Sequence, residues 1–235
     1  MNVIAWSISR SYNVPTVNYI ATITPVRELI LAGSADLAYW RARLAAVGLF
    51  PHDNGGRAAL TLSAISGRFR GLPFREFSVA VVAGQEDGRA DSIYLIGAFN
   101  SSRLLAWSER AFFRTPYELA NIQLNEQPPA RFEVSDAGQV VCTATMTGAT
   151  EPPRHEAQAW QGRIYLPPRG AHRELFYARL AGPTDVYPFG AADSLTIQPR
   201  PGDDVLGCLV ESGFAGQEWR VRAAAVHARS RTYSL

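Results

Sequence analysis

Alternation dominates this chain. Over most of its 235 residues, apolar and polar side chains trade places with a period of two, as in strands that bury one face. Residues 58–66 set Leu60, Leu62 and Ala64 on one face and Thr61 and Ser63 on the other. The same period predicts strands over 17–24, 26–32, 76–83, 92–99, 119–124, 131–135, 139–147, 157–166, 173–181, 194–198 and 218–228. Asn54-Gly55-Gly56, Glu86-Asp87-Gly88 and Asp136-Ala137-Gly138 supply residues that tolerate the left-handed backbone of hairpin turns. Regular strand spacing of this kind predicts a closed or nearly closed antiparallel sheet rather than alternating β–α–β units.

Three helices interrupt the strands. Ser34 can cap 35–47, which Gly48 stops; Ser101 or Ser102 can cap 103–113, ahead of Pro116; Asp203 or Asp204 can cap 205–211, which Gly213 stops. The proline-bearing runs 151–155 and 167–170 read as connections. No repeat or low-complexity tract divides the chain, so a single domain over 1–235 is expected.

Composition then removes whole classes of chemistry. All 23 basic residues are arginines; the chain has no lysine. A Schiff base on a lysine, a P-loop lysine and a lysine-held pyridoxal phosphate are excluded. The arginines are dispersed against 21 acidic residues, for a net charge of +2, so nucleic-acid binding is not expected. The apolar run 79–83 is far short of the ~20 residues that span a bilayer, so no membrane association is expected. Residues 1–10 lack a basic start followed by a long apolar stretch, and the expected location is cytoplasmic. Cys142 and Cys208 read as buried thiols rather than a disulfide. His52, His155, His172 and His227 are scattered, with no second His or Cys at a zinc spacing, so no metal is expected. No G-x-S-x-G elbow and no G-x-G-x-x-G turn is present, and no cofactor is expected.

The stretch 94–148 resembles the acetoacetate decarboxylase family. Tyr94-Leu95 opens it as the family's strand opens, Arg110 falls at the family's helical arginine, and Pro116 at the proline that precedes two lysines. Cys142-Thr143-Ala144-Thr145-Met146-Thr147-Gly148 matches the family's later strand. Upstream, Arg27-Glu28 ahead of a strand and Phe74-Arg75-Glu76 match in order, which makes Glu76 the counterpart of the family's active-site carboxylate. Gly182-Pro183-Thr184 echoes a family turn. The resemblance covers about half the chain. It implies an α+β, mainly antiparallel fold: a cone-shaped β-barrel with a few flanking helices, self-associating into a homo-oligomer.

The departure from the family is as informative. Tyr117 and Glu118 stand where the two lysines belong. The family's first lysine forms an imine with the substrate ketone, activated by desolvation beside a second cation; that route is closed here. The resemblance implies a catalytic set of Glu76, Tyr117 and Glu118. Arg110, Arg27, Phe74, Phe99 and Phe113 are the expected substrate-binding residues. A carboxylate in an apolar pocket moves into acid–base range, a phenol can donate to an enolate oxygen, and a guanidinium can hold an oxyanion. The expected function is a cofactor-independent enzyme, without imine chemistry, acting on a carbonyl-rich apolar small molecule in natural-product biosynthesis. Its reaction would be cyclisation, isomerisation or dehydration. The alternative is a barrel that binds a small molecule without catalysis.

Overall fold

The computed structural model describes residues 17–86, 89–148, 154–169 and 172–235. The elements run β1 (Tyr19–Asp36), α1 (Leu37–Ala45), β2 (Phe50–Pro51), β3 (Arg57–Phe69), β4 (Leu72–Gly84), β5 (Ser92–Asn100), α2 (Arg103–Phe112), β6 (Tyr117–Leu119) and β7 (Asn121–Asn125). They continue β8 (Arg131–Asp136), β9 (Gln139–Thr145), β10 (Arg154–Arg169), β11 (His172–Pro188), β12 (Ser194–Ile197), α3 (Asp204–Glu211), β13 (Ala215–Ser230) and β14 (Tyr233–Ser234).

Seven of these strands close a ring in the order β4-β3-β1-β13-β11-β10-β5, with β5 returning to β4. Every pairing in the ring is antiparallel except β10 with β5. Short β6 extends β5 in parallel, β2 pairs with β4, and β14 with β11. A second antiparallel sheet, β12-β9-β8-β7, lies apart from the ring. Among the described residues this is a mainly antiparallel α+β barrel with three helices, in keeping with the barrel and few flanking helices that the resemblance implies.

Two kinds of interior result. The large core lies on the outer side of the ring, against the second sheet and helices α1 and α3. It holds Trp40 and Leu44 of α1, Leu206 and Leu209 of α3, and Phe77, Phe99, Phe132 and Trp219 of the strands, all buried. The rings of Phe77 and Phe132 sit 5.3 Å apart and those of Phe77 and Phe99 6.1 Å apart, within the range of favourable aromatic pairs. Helix α3 comes close because β5 has no side chain at Gly97: a Cβ there would lie 2.4 Å from Val205 Cγ2. Two smaller apolar clusters, one with Trp160 and Phe176 and one with Ile65 and Phe74, line the inside of the ring.

Several boundaries differ from expectation. Strands 17–24 and 26–32 are one strand, β1, because Pro25 falls at a register shift against β13 where its missing N–H costs no ladder bond. Helix α1 begins at Leu37 rather than 35, because Ser34, Ala35 and Asp36 still pair with β3; the cap is Asp36, not Ser34, accepting from the Tyr39 N–H at 2.6 Å. The predicted strand 119–124 splits at Ala120, its first part pairing with β5 and its second with β8. The runs 154–155 and 167–169, expected as connections, belong to β10, and Gly182-Pro183-Thr184 lies inside β11 rather than in a turn. The hairpin at 136–138 forms as expected, with Ala137 and Gly138 both at positive φ. Asp87-Gly88 and residues 1–16 lie outside the described residues.

Helices α2 and α3 have the caps their sequences announce. Ser102 accepts from the Leu105 N–H, and Asp203 from those of Val205 and Leu206, both at 2.9 Å. Asp203→Ala is expected to cost about 1 kcal/mol of stability in urea unfolding. Cys142 and Cys208 are free and buried, and desolvation pushes both thiols up to about 12. No helix among the described residues is long and apolar enough to cross a membrane.

Candidate active site

The ring encloses a cavity of about 260 Å³. Its walls are chiefly apolar: Ile23, Ile30 and Ile65 on one side, Leu95, Trp160, Ile164 and Phe176 on the other. Polar side chains enter in two groups.

The first group follows from strand register. Arg222 of β13 pairs with Glu28 of β1, Glu28 with Ile65 of β3, Ile65 with Glu76 of β4, and Glu76 with Asn100 of β5. This row crosses five strands on the inward face. At one end Glu28 is buried and fully engaged. Its Oε1 accepts from Ser63 Oγ at 2.9 Å and its Oε2 from Arg222 Nη1 at 2.6 Å, with His227 Nε2 3.4 Å from the same Oε2. Arg222 also donates through Nε to Thr184 Oγ1 at 2.9 Å and through Nη2 to Gln158 Oε1 at 2.7 Å. Burial opposes the charge on Glu28, but Arg222 and His227 prevail and hold its carboxyl well below the usual carboxylate range.

The second group surrounds Glu76. Its carboxyl keeps some accessible surface because it faces the cavity, yet it lies deep within the ring. Tyr117 of β6, buried, lines the cavity with it, and each of the two groups shifts the other's protonation. Among the described residues no guanidinium is ion-paired with Glu76, and desolvation dominates, lifting its carboxyl to about 7; the nearby Glu109 charge adds to the rise, and the Tyr117 hydroxyl, His227 and Arg229 oppose it. The phenol is pushed well above 10 by burial and by the two carboxylates, and so remains a donor at neutral pH. Glu109, from α2, accepts from Thr115 Oγ1 and from Arg229 Nη1, each at 2.5 Å. The Arg229 guanidinium stacks on the rings of Phe176 and Phe113, with its carbon 4.2 and 4.8 Å from their centroids.

Of the residues singled out from sequence, Glu76, Tyr117, Phe74 and Phe113 line this cavity. The others do not. Glu118 is exposed: β6 is extended, so the residue after an inward Tyr117 must point outward. Arg110 is exposed on α2, whose inward residues are Leu105, Ser108 and Glu109. Arg27 is likewise exposed and pairs with Glu126 at 3.1 Å, because its neighbour Glu28 takes the inward position. Phe99 packs on Phe77 in the outer core, one position out of phase with the cavity face.

Sequence reading missed Glu28, Arg222, His227, Glu109 and Arg229. Glu28 and Glu109 each adjoin a residue that was chosen, Arg27 and Arg110, so the error is one of parity. The strand β13 residues have a different cause. Arg220 and Arg222 are inward at even positions, whereas His227 and Arg229 are inward at odd ones. The register against β1 slips by one between Val26–Ala225 and Glu28–Arg222. This bulge resets which face each residue occupies. Only the pairing shows it.

Among the described residues, no three His, Cys, Asp or Glu side chains gather as a metal site would require.

The ring and the flanking sheet together make an acetoacetate decarboxylase-like barrel fold. No family model matches the sequence, and no curated protein does. Solved structures agree on the fold. The acetoacetate decarboxylase from Legionella pneumophila matches with a TM-score of 0.61 and 13% identity, over 98% of this chain and 93% of that one. An acetoacetate decarboxylase-like enzyme from Sphingomonas wittichii RW1 matches at 0.61 and 15%, over 97% and 99%. The enduracididine biosynthesis enzyme MppR matches at 0.62 and 16%, over 93% and 89%. This chain has the acetoacetate decarboxylase fold, as the residues of 94–148 suggested.

Proposed function

We propose that this protein is an enzyme that moves protons next to a carbonyl group of an apolar small molecule, without an imine. One observation carries the reading: Glu76 and Tyr117 line the same apolar-walled cavity, and among the described residues no cation is ion-paired with Glu76. A carboxyl near 7 is matched to proton transfer at neutral pH. Glu76 takes a proton from the carbon beside the carbonyl. Charge moves onto the carbonyl oxygen, where the Tyr117 phenol, a donor throughout, stabilises the enolate. The proton returns to the same carbon or to another, which gives isomerisation, cyclisation or loss of a leaving group according to the substrate. MppR has been solved with pyruvate bound and with a condensation product of pyruvate and imidazole 4-carboxaldehyde. Those complexes make small oxo compounds the first probes to try here, and support a role in natural-product biosynthesis.

The test is deuterium wash-in. Wild-type protein in D2O should exchange the protons beside the carbonyl of pyruvate or 2-oxobutanoate, followed by NMR. Tyr117→Phe should slow exchange about 100-fold, the low end of what one donor to a developing oxyanion supplies. With pyruvate and borohydride, no side chain should gain mass, since the chain has no lysine. Absence of exchange by wild type across such carbonyl compounds would overturn the proposal.

A further inference from the structure

The Glu76–Tyr117 pair accounts for one wall of the cavity and leaves the Glu28 cluster without a task. We propose that His227, held by Glu28, is a second proton-transfer residue of this cavity, and that the substrate is a carbonyl compound with a hydroxyl on the β carbon, from which the enzyme eliminates water. The proposal rests on the reading of Glu76 given above and extends it to the substrate class.

The geometry is that of an oriented imidazole. His227 lines the cavity, and its side chain is 16% exposed. Its Nε2 faces Glu28 Oε2 at 3.4 Å, which leaves Nδ1 as the nitrogen available to a ligand. Glu28 is in turn pinned by Ser63 and Arg222, and Arg222 by Thr184 and Gln158. A carboxylate held by Ser63 and by a braced Arg222 fixes the ring and stabilises it when it carries two protons. A cluster kept only for packing would not need to leave a histidine at the cavity wall.

The two groups also stand the right way apart. Glu28 and Glu76 are separated by one intervening strand, so their backbones lie roughly 10 Å from each other across the ring. His227 stands on β13, three strands along the ring from the β4 of Glu76, so the two face the cavity from different walls. Charged groups around the imidazole are Glu28 from β1, Glu76 from β4, and Arg222 and Arg229 on its own strand; the residues paired with it on β1 and β11 are Ile23 and Leu180.

The step balances. Glu76 removes the proton from the α carbon, and the C–H pair becomes the C=C bond. The β C–O bond breaks, and the leaving oxygen takes a proton from doubly protonated His227 and departs as water. Glu76 ends protonated and His227 neutral. Proton exchange with solvent resets both.

Leaving-group dependence tests this. The probes are 4-hydroxy-2-butanone, whose hydroxide needs a proton to leave, and 4-acetoxy-2-butanone, whose acetate does not. Both give methyl vinyl ketone, followed by NMR above the uncatalysed rate. His227→Asn should lower elimination of the hydroxy compound 100-fold or more and that of the acetoxy compound by less than tenfold. His227→Gln should repeat the pattern. Equal losses on both probes would make His227 structural only and overturn the proposal. So would an undiminished rate on the hydroxy compound, or a wild type that washes deuterium into ketones yet eliminates neither probe. A wild type that neither exchanges nor eliminates would instead overturn the reading of Glu76 itself.

Discussion

Glu76→Gln is expected to make the protein more stable above pH 7 while removing its proton-transfer activity. The stability half follows from linkage. The carboxyl titrates near 4.5 when solvated and at about 7 in the fold, so the native state prefers its neutral form. Stability from that preference is fully present below about pH 4.5 and is lost as pH rises through about 7. Glutamine mimics the neutral acid at every pH. The two proteins should therefore differ by less than about 1 kcal/mol at pH 5, and the variant's advantage should grow by about 2–3 kcal/mol between pH 5 and pH 8. For a chain of this size that is about 5–10 °C in melting temperature. The activity half has the opposite sign. Deuterium wash-in should fall 100-fold or more, because the amide cannot accept the proton. In wild type the same wash-in should rise with pH and level off above about 7, as Glu76 ionises. Melting curves at pH 5 and pH 8, with exchange measured on the same samples, check both halves. Equal melting temperatures at pH 8 would show that Glu76 is not held in an apolar site.

Arg222→Met should produce the larger loss of stability. It leaves Glu28 buried and ionised with no guanidinium, and strips donors from Thr184 and Gln158. Breaking a buried pair by removing one partner costs about 3–5 kcal/mol. The double variant Arg222→Met with Glu28→Gln should recover most of that, since an amide can keep the Ser63 contact without a charge. The pH dependence separates this from lost packing. The Glu28 carboxyl lies below its usual range, so its contribution is present above about pH 4.5 and is lost as pH falls below that. Wild type should show this acid limb in urea unfolding, and Arg222→Met should not. A single variant within 1 kcal/mol of wild type would mean that the pair adds nothing net.

The same residues show what could be read before folding. Strands survive almost everywhere that the period of two runs unbroken, because alternation is itself the record of one buried face. Helices α2 and α3 survive because capping is local: Ser102 and Asp203 need only the next turn of their own backbone. Glu76 was legible because Phe74-Arg75-Glu76 falls in order with the matching segment of the family it resembles. Arg27 and Arg110 were not, since telling inward from outward needs the phase of an element and not only its type. One position of error exchanges Glu28 for Arg27 and Glu109 for Arg110.

The amino-acid sequence alone determined that this chain folds chiefly into paired antiparallel strands and that no lysine can condense with its ligand. Both depend on residue type and spacing, which no packing can alter. Only the tertiary structure decided which polar groups share the cavity. A slip of one residue in β13 turns Arg222 and His227 inward together, and ring closure brings Glu28, Glu76 and Tyr117 from three strands to face one space. Register is a property of pairs of strands, so a single strand's sequence does not contain it.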